Sequence, residues 1–147
     1  MKKYLLTLLC ALAAPLLLNA AEDDGWLTNY EEAAARAKAE NKLLLMNFTG
    51  SDWCIWCKRL EGEVFSRPAF KAFAKENLVL LKLDFPRRGN QSEAERKQNR
   101  ELAEKFGIEG FPTIIVLKPD GSKAAELGYL PGGPEAWIEA FKKATGS

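Results

Sequence analysis

Three short, almost unbroken apolar runs punctuate the chain: positions 43–48 (Leu-Leu-Leu-Met-Asn-Phe), 78–85 (Leu-Val-Leu-Leu-Lys-Leu-Asp-Phe) and 113–117 (Thr-Ile-Ile-Val-Leu). Runs of this length without polar alternation predict strands covered on both faces. Between them the pattern is helical. Thr28, Asn29, Tyr30 and Glu31 read as a capping box that opens an Ala-rich helix to Glu40. A second helical stretch begins at Trp53, with Lys58, Arg59, Glu61 and Glu63 facing out. Gly62, then Ser66, Arg67 and Pro68, predict a kink or break before a helix to about Glu76. Ser92 to Glu95 form another capping box, opening a polar helix closed by Gly107. Pro119, Asp120 and Gly121 signal a hairpin into a strand at 124–129. Gly132, Gly133 and Pro134 precede a last helix in which Ala136, Trp137, Ala140 and Phe141 recur at helical spacing.

The order is helix, strand, helix, strand, helix, strand, strand, helix. A βαβ unit followed by a hairpin and a terminal helix predicts an α/β fold, a central mixed sheet flanked by helices on both faces. Trp26, Trp137 and Phe141 are expected in the core. Arg87 and Arg88 are expected to be a solvated loop pair, and positions 87–100 a solvated helix, with a docking surface as the alternative. A length of 147 residues, 47% of them hydrophobic, suits one globular domain.

The start of the chain has a different character. Lys2 and Lys3 precede a charge-free Leu- and Ala-rich run from Tyr4 to Leu18, and small residues follow at Ala20 and Ala21. This is the layout of a secretory signal peptide, positions 1–21, leaving 22–147 as the folded domain. The run is shorter than the ~20 residues of a spanning helix, although a retained anchor is the alternative, because no clean Ala-x-Ala site is present. Cys10 falls inside this segment. Removing Lys2 and Lys3 tips the net charge from +1 to −1. Neither value suits a protein that holds nucleic acid by its charge, so no nucleic-acid partner is expected.

Composition sharpens the chemistry. The chain has no histidine and only three cysteines. Ser-His-Asp and Cys-His catalysis, a Cys2His2 zinc site and c-type haem attachment are thereby excluded. Beyond the leader only Cys54 and Cys57 are left, flanking Ile55 and Trp56. Export carries them to a compartment where disulfides persist. At the first turn of a helix, Cys54 should be an exposed thiol of lowered pKa, and Cys57, one turn on, should lie on the same face within disulfide reach. Cys54 is then the attacking thiol and Cys57 the resolving one. Two other uses of the pair stay open: a metal site shared between two chains, since one chain lacks the remaining ligands, and an inert disulfide, whose short ring would constrain the unfolded chain little.

A second signal is Ile108, Glu109, Gly110, Phe111, Pro112 and Thr113. A proline entering a buried strand must sit at its end or adopt an unusual bond geometry. Together with Trp53 to Lys58 after a strand, this segment makes the chain resemble the thioredoxin superfamily over roughly positions 43–141. The stretch from Thr49 to Cys57 and the long segment after Asp84 are similar to exported thioredoxin-like reductases of the DsbH type. The resemblance implies a thioredoxin fold, catalysis by Cys54 and Cys57, and a cis-proline at Pro112. It implies that the backbone of Phe111 pairs with an extended substrate segment, with Trp53, Ile55, Trp56 and Pro112 around it. It also implies a monomeric periplasmic enzyme without metal or other cofactor. Disulfide-containing client proteins would be its substrates and a membrane electron donor of the DsbD/CcdA type its source of electrons.

One position departs from the family. Thioredoxins carry a buried Asp on the strand before the dithiol, and here that place falls on Asn47 or Phe48, neither ionisable. Lys82 would lack its usual partner. Cys57 should therefore deprotonate through water or another group, or turn over slowly, and Asn47→Asp should alter the pH profile of reduction. Ile55 and Trp56 bring no charge to the sulfur, which predicts a potential nearer ~−270 mV than ~−120 mV and hence a disulfide reductase. An oxidase or isomerase is the alternative within this chemistry, and a non-catalytic thioredoxin-like binding module the alternative outside it.

Overall fold

A computed structural model describes residues 24–147; the predicted leader and Cys10 lie outside the described residues. The elements run β1 (Trp26–Leu27), α1 (Tyr30–Glu40), β2 (Leu43–Thr49), α2 (Ile55–Leu60), a π-helical turn (Glu61–Phe65) and α3 (Pro68–Asn77). They continue with β3 (Leu78–Asp84), α4 (Glu93–Phe106), β4 (Thr113–Leu117), β5 (Lys123–Leu127) and α5 (Gly133–Thr145). The five strands form one mixed sheet in the order β1-β3-β2-β4-β5. β3 pairs in parallel with both β1 and β2, whereas β4 is antiparallel to β2 and to β5.

The apolar runs become the three central strands, and period-two alternation divides their side chains between two layers. Leu45, Leu80, Ile114 and Val116 meet Leu60, Val64, Phe65, Phe70, Trp137 and Phe141 on the side of α2, α3 and α5. Leu44, Met46, Phe48, Leu81, Leu83, Ile115 and Leu117 meet Ala33, Ala37 and Leu102 on the side of α1 and α4. Trp137 and Phe141 are wholly buried, and each large aromatic so placed contributes about 1.5–3 kcal/mol or more through burial. Trp26 is half-buried, its ring 5.2 Å from that of Phe65.

Several expectations are corrected by the structure. The cap of α1 is Asn29, whose Oδ1 accepts the Glu32 N–H at 2.9 Å, so the box sits one residue later than read. The shift has a cause: the Gln98 amide accepts the Tyr30 N–H and donates to the Thr28 carbonyl, both at 2.9 Å. The strand β1 is an addition. So is the π turn, which carries the dithiol helix on without a break until Ser66. Finally, the helix that carries the dithiol starts at Ile55 and not at Trp53, because the N–H groups of Trp53 and Cys54 both turn back to the Gly50 carbonyl. Ser92 and Gly107 cap α4 at the expected places.

Candidate active site

The parallel β2 and β3 end side by side, and the chain leaves β2 through a tight turn at Gly50 before entering α2. That turn is built by side chains from the neighbouring strand end. The Asp84 carboxylate accepts from the Ser51 N–H (2.9 Å) and the Ser51 hydroxyl (2.5 Å). The Asp52 carboxylate accepts from the backbone N–H groups of Arg87 (3.0 Å) and Arg88 (2.8 Å). The Arg87 N–H, followed by burial and the Arg88 N–H, governs this carboxyl, and the balance holds it below the ordinary aspartate range.

Cys54 is the residue that caps α2. Its backbone is extended (φ −88°, ψ 110°) and its Sγ accepts the Cys57 N–H at 3.2 Å. Sulfur thus takes the place that a Ser or Asp oxygen fills at most helix starts. Cys57 lies one turn on, at a Cα separation of 5.2 Å, and the two are joined as a disulfide. Cys57 Sγ in turn accepts the Gly50 N–H at 3.5 Å. The expected contrast between an exposed and a deep sulfur is absent in this disulfide form, with Cys54 6% and Cys57 4% exposed. Bonding to Cys57 and capping the helix both turn the Cys54 sulfur inward.

The exposed surface around the pair belongs to Trp53, Ile55 and Trp56 instead, the last two 62% and 49% exposed. Trp53 is anchored: its indole N–H donates to the Phe85 carbonyl at 2.8 Å, and its ring meets Phe111 edge-on at 5.7 Å. Phe85 and Phe111 also touch, at 5.2 Å. The Arg87 guanidinium stacks over the Trp53 ring at 4.6 Å. Arg87 and Arg88 are the exposed loop pair expected, and the loop is tied down as well, since its backbone binds Asp52 and the Arg87 side chain covers an aromatic. On the other flank, Trp56 packs at 5.2 Å on Tyr129 and under Arg59 at 5.1 Å. Tyr129 donates to Glu63 at 2.7 Å, and this bond is the main reason its phenol is held above its usual pKa. The Phe111–Pro112 peptide bond is cis. Trp53 and Phe111 are thus brought together on one side of the dithiol, while Trp56 lies on the Tyr129 side.

In the strand that leads to the dithiol, Asn47 stands opposite Lys82 in the β2–β3 register. Asn47 is 4% exposed. Glu61, one turn beyond Cys57, has a raised carboxyl pKa, first because of burial, with Lys82 the strongest opposing charge. Gly50, Asp52, Asp84, Arg87 and Tyr129 were not singled out from the sequence as site residues. For Gly50 and Asp52 the turn composition of 49–52 is the one trace in the sequence. Among the described residues, no group of three or more Cys, Asp or Glu could hold a metal ion.

The comparisons agree with this geometry. A family model described as thioredoxin-like domain matches residues 30–144. The disulfide bond reductase DsbH of Chlamydia pneumoniae is 34% identical over 79% of this chain and 70% of its own length. The thioredoxin-related protein DsbJ of the same organism is 32% identical over 86% of this chain, but this chain spans only 37% of that protein. A solved structure titled DsbH Oxidoreductase superposes with a TM-score of 0.78 at 34% identity, covering 82% of this chain and 83% of that one. A capping cysteine bonded to its neighbour one turn on, within a sheet and helix layout shared over this much of the chain, fixes the assignment: the chain belongs to the thioredoxin-like domain family and is a thiol–disulfide oxidoreductase.

Proposed function

We propose that the chain works as an exported disulfide reductase that passes electrons to disulfide-bearing client proteins. The observation that carries this is the Cys54 sulfur at the N-cap of α2, accepting a backbone N–H where the helix end is partly positive. In the dithiol form Cys54 attacks as a thiolate. Its sulfur bonds to one sulfur of the client disulfide, and the client's other sulfur leaves as a thiolate. Cys57 then gives up its proton and attacks Cys54 Sγ. The mixed disulfide breaks, the client's second sulfur leaves, and two electrons have moved to the client while the Cys54–Cys57 disulfide forms.

The direction follows from what surrounds the sulfur. Ile55 and Trp56 add no charge between the cysteines, so thiolate stabilisation is left to the helix end, which favours a reducing potential. The printed name of the Chlamydia pneumoniae relative, a disulfide bond reductase, supports the same direction. Trp53, Ile55, Trp56, Phe111 and Pro112 form the rim against which a client segment lies, the Phe111 backbone pairing with it as an added strand. The leader at 1–21 accounts for export to a periplasmic space, where a membrane dithiol carrier of the DsbD/CcdA type restores the dithiol and the enzyme acts as a monomer. Among the described residues, no helix is long and apolar enough to cross a membrane.

Insulin reduction is the test. The protein should catalyse precipitation of insulin chains, and Cys54→Ser should abolish catalysis. A wild-type protein without activity would leave the binding-module alternative in its place.

A further inference from the structure

On one side of the dithiol, a chain of ring contacts leads from the cis-proline loop to a charge. Phe111, the residue before Pro112, meets Trp53 edge-on at 5.7 Å, and the Arg87 guanidinium lies over the Trp53 ring at 4.6 Å. A planar guanidinium stacked on an aromatic face keeps N–H groups along its edges, and those edges match a carboxylate at two points. The Arg87 side chain is exposed. Among the described residues it forms no ion pair, and its hydrogen bonds to Asp52 come from the backbone N–H alone. Arg59 on the opposite flank differs, because it covers Trp56 with Glu63 already 4.0 Å away.

The surroundings of Arg87 fix where its charge is presented. The Phe85 N–H donates to the Thr49 carbonyl at 2.8 Å, and the Phe85 carbonyl accepts the Trp53 indole N–H at 2.8 Å. Asp52 then holds the N–H groups of Arg87 and Arg88. These bonds tie the loop to the turn that leads into Cys54. The two carboxylates on the flanking loops, Asp52 and Glu109, leave the guanidinium unpaired, the first because it is engaged with backbone N–H groups.

We propose that Arg87 is a specificity-determining residue: its guanidinium pairs with a carboxylate close in sequence to the attacked cysteine, so that clients with an acidic flank are preferred. The inference rests on the reductase reading above and names a substrate class for the same rim. A client segment laid along the Phe111 backbone passes the Trp53 ring, and Arg87 occupies the face of that ring. The pairing orients the client before the sulfurs exchange and leaves the exchange itself unchanged.

The test is reduction of short disulfide-linked peptides by the full chain, by Arg87→Gln and by Arg87→Lys. The peptides are identical except for one Glu, Gln or Lys, placed in turn at each position within about three residues of the cysteine, roughly 10 Å of extended chain. With the wild type, kcat/KM for the best-placed Glu peptide should exceed that of its Gln analogue by about two- to fivefold, the size of one exposed ion pair. The Lys peptide should fall below both. The difference should lie in KM and shrink as salt is added. Arg87→Gln should reduce all three alike, and Arg87→Lys, which keeps the charge without the fork, should retain part of the preference. A disturbed fold or an altered thiol slows every peptide equally, so the ratio between peptides isolates recognition. A Glu-to-Gln ratio unchanged by Arg87→Gln, or no preference in the wild type at any position, would overturn the proposal while leaving the reductase reading intact. A protein that oxidises the peptide dithiols instead would overturn that reading, and the same ratio is then read on oxidation, because both directions pass through one mixed disulfide.

Discussion

The rim and the floor of the dithiol are built from opposite materials. Around the outer edge, Trp53, Ile55 and Trp56 expose apolar surface, held by aromatic contacts and by Arg59 and Arg87 laid over the rings. Underneath, Cys57 meets the backbone of Gly50 at the end of a strand whose Asn47 and Thr49 are buried polar residues. The rim suits transient contact with another polypeptide, because aromatic surface binds without demanding one partner geometry. The floor suits control of protons, because few groups there compete for them. One residue type three positions apart thus acquires two chemistries from its surroundings.

The largest effect should come from separating the two sulfurs functionally. Cys57→Ser leaves Cys54 able to attack but removes the release step, so the protein should accumulate as a mixed disulfide with its client, visible on non-reducing gels. Rapid multiple turnover by this variant would show that rim and floor do not divide the labour as described.

A steric probe follows. A Cβ added at Gly50 would run into the Trp53 indole. Gly50→Ala should therefore displace the ring that Phe85, Phe111 and Arg87 hold, at a cost of about 1–3 kcal/mol in denaturant unfolding. The same change should weaken catalysis by moving the Gly50 N–H that faces Cys57. An alanine variant of native stability would contradict the packing of the turn.

The smallest effects are electrostatic, and they have opposite signs at two carboxylates on either side of the dithiol helix. Asp52 at the rim has a depressed pKa in the folded protein. Its contribution to stability is present above the ordinary aspartate value and is lost as pH falls through the lower folded value, below about pH 4. Glu61, a surface residue one turn beyond Cys57, has a raised pKa, chiefly because its carboxyl is partly desolvated. The unfolded chain ionises there first, so a cost to folding builds as pH rises from about 4.3 through the higher folded value and then stays constant. Comparing Tm at about pH 2.5 and pH 7, Glu61→Gln should gain on the wild type at the higher pH, and Asp52→Asn should fall behind it. Parallel responses would break the contrast.

The sequence made the central strands legible because 43–48, 78–85 and 113–117 are apolar on both faces, a pattern that few other structures tolerate. The dithiol was legible because Cys54 and Cys57 stand at a strand-to-helix junction with no other soft ligand in reach. What stayed hidden depends on contacts distant in the chain. The two residues of β1 are too few to show any period. Asn29 displaces Thr28 as cap only because Gln98, far along in α4, occupies the neighbouring backbone groups. Arg87 and Arg88 are exposed loop charges as their sequence suggests, but the capture of their N–H groups by Asp52, in another loop, leaves no mark in the sequence. The burial of Cys54 belongs to the disulfide itself, a covalent state that spacing alone does not specify.

The most direct test of the account is the reduction potential of the Cys54–Cys57 pair, measured by equilibration with glutathione. A sulfur stabilised by a helix end alone should give a value near −270 mV, on the order of that of thioredoxin. A value above about −180 mV, in the range of oxidising enzymes, would contradict electron flow from this dithiol to client disulfides.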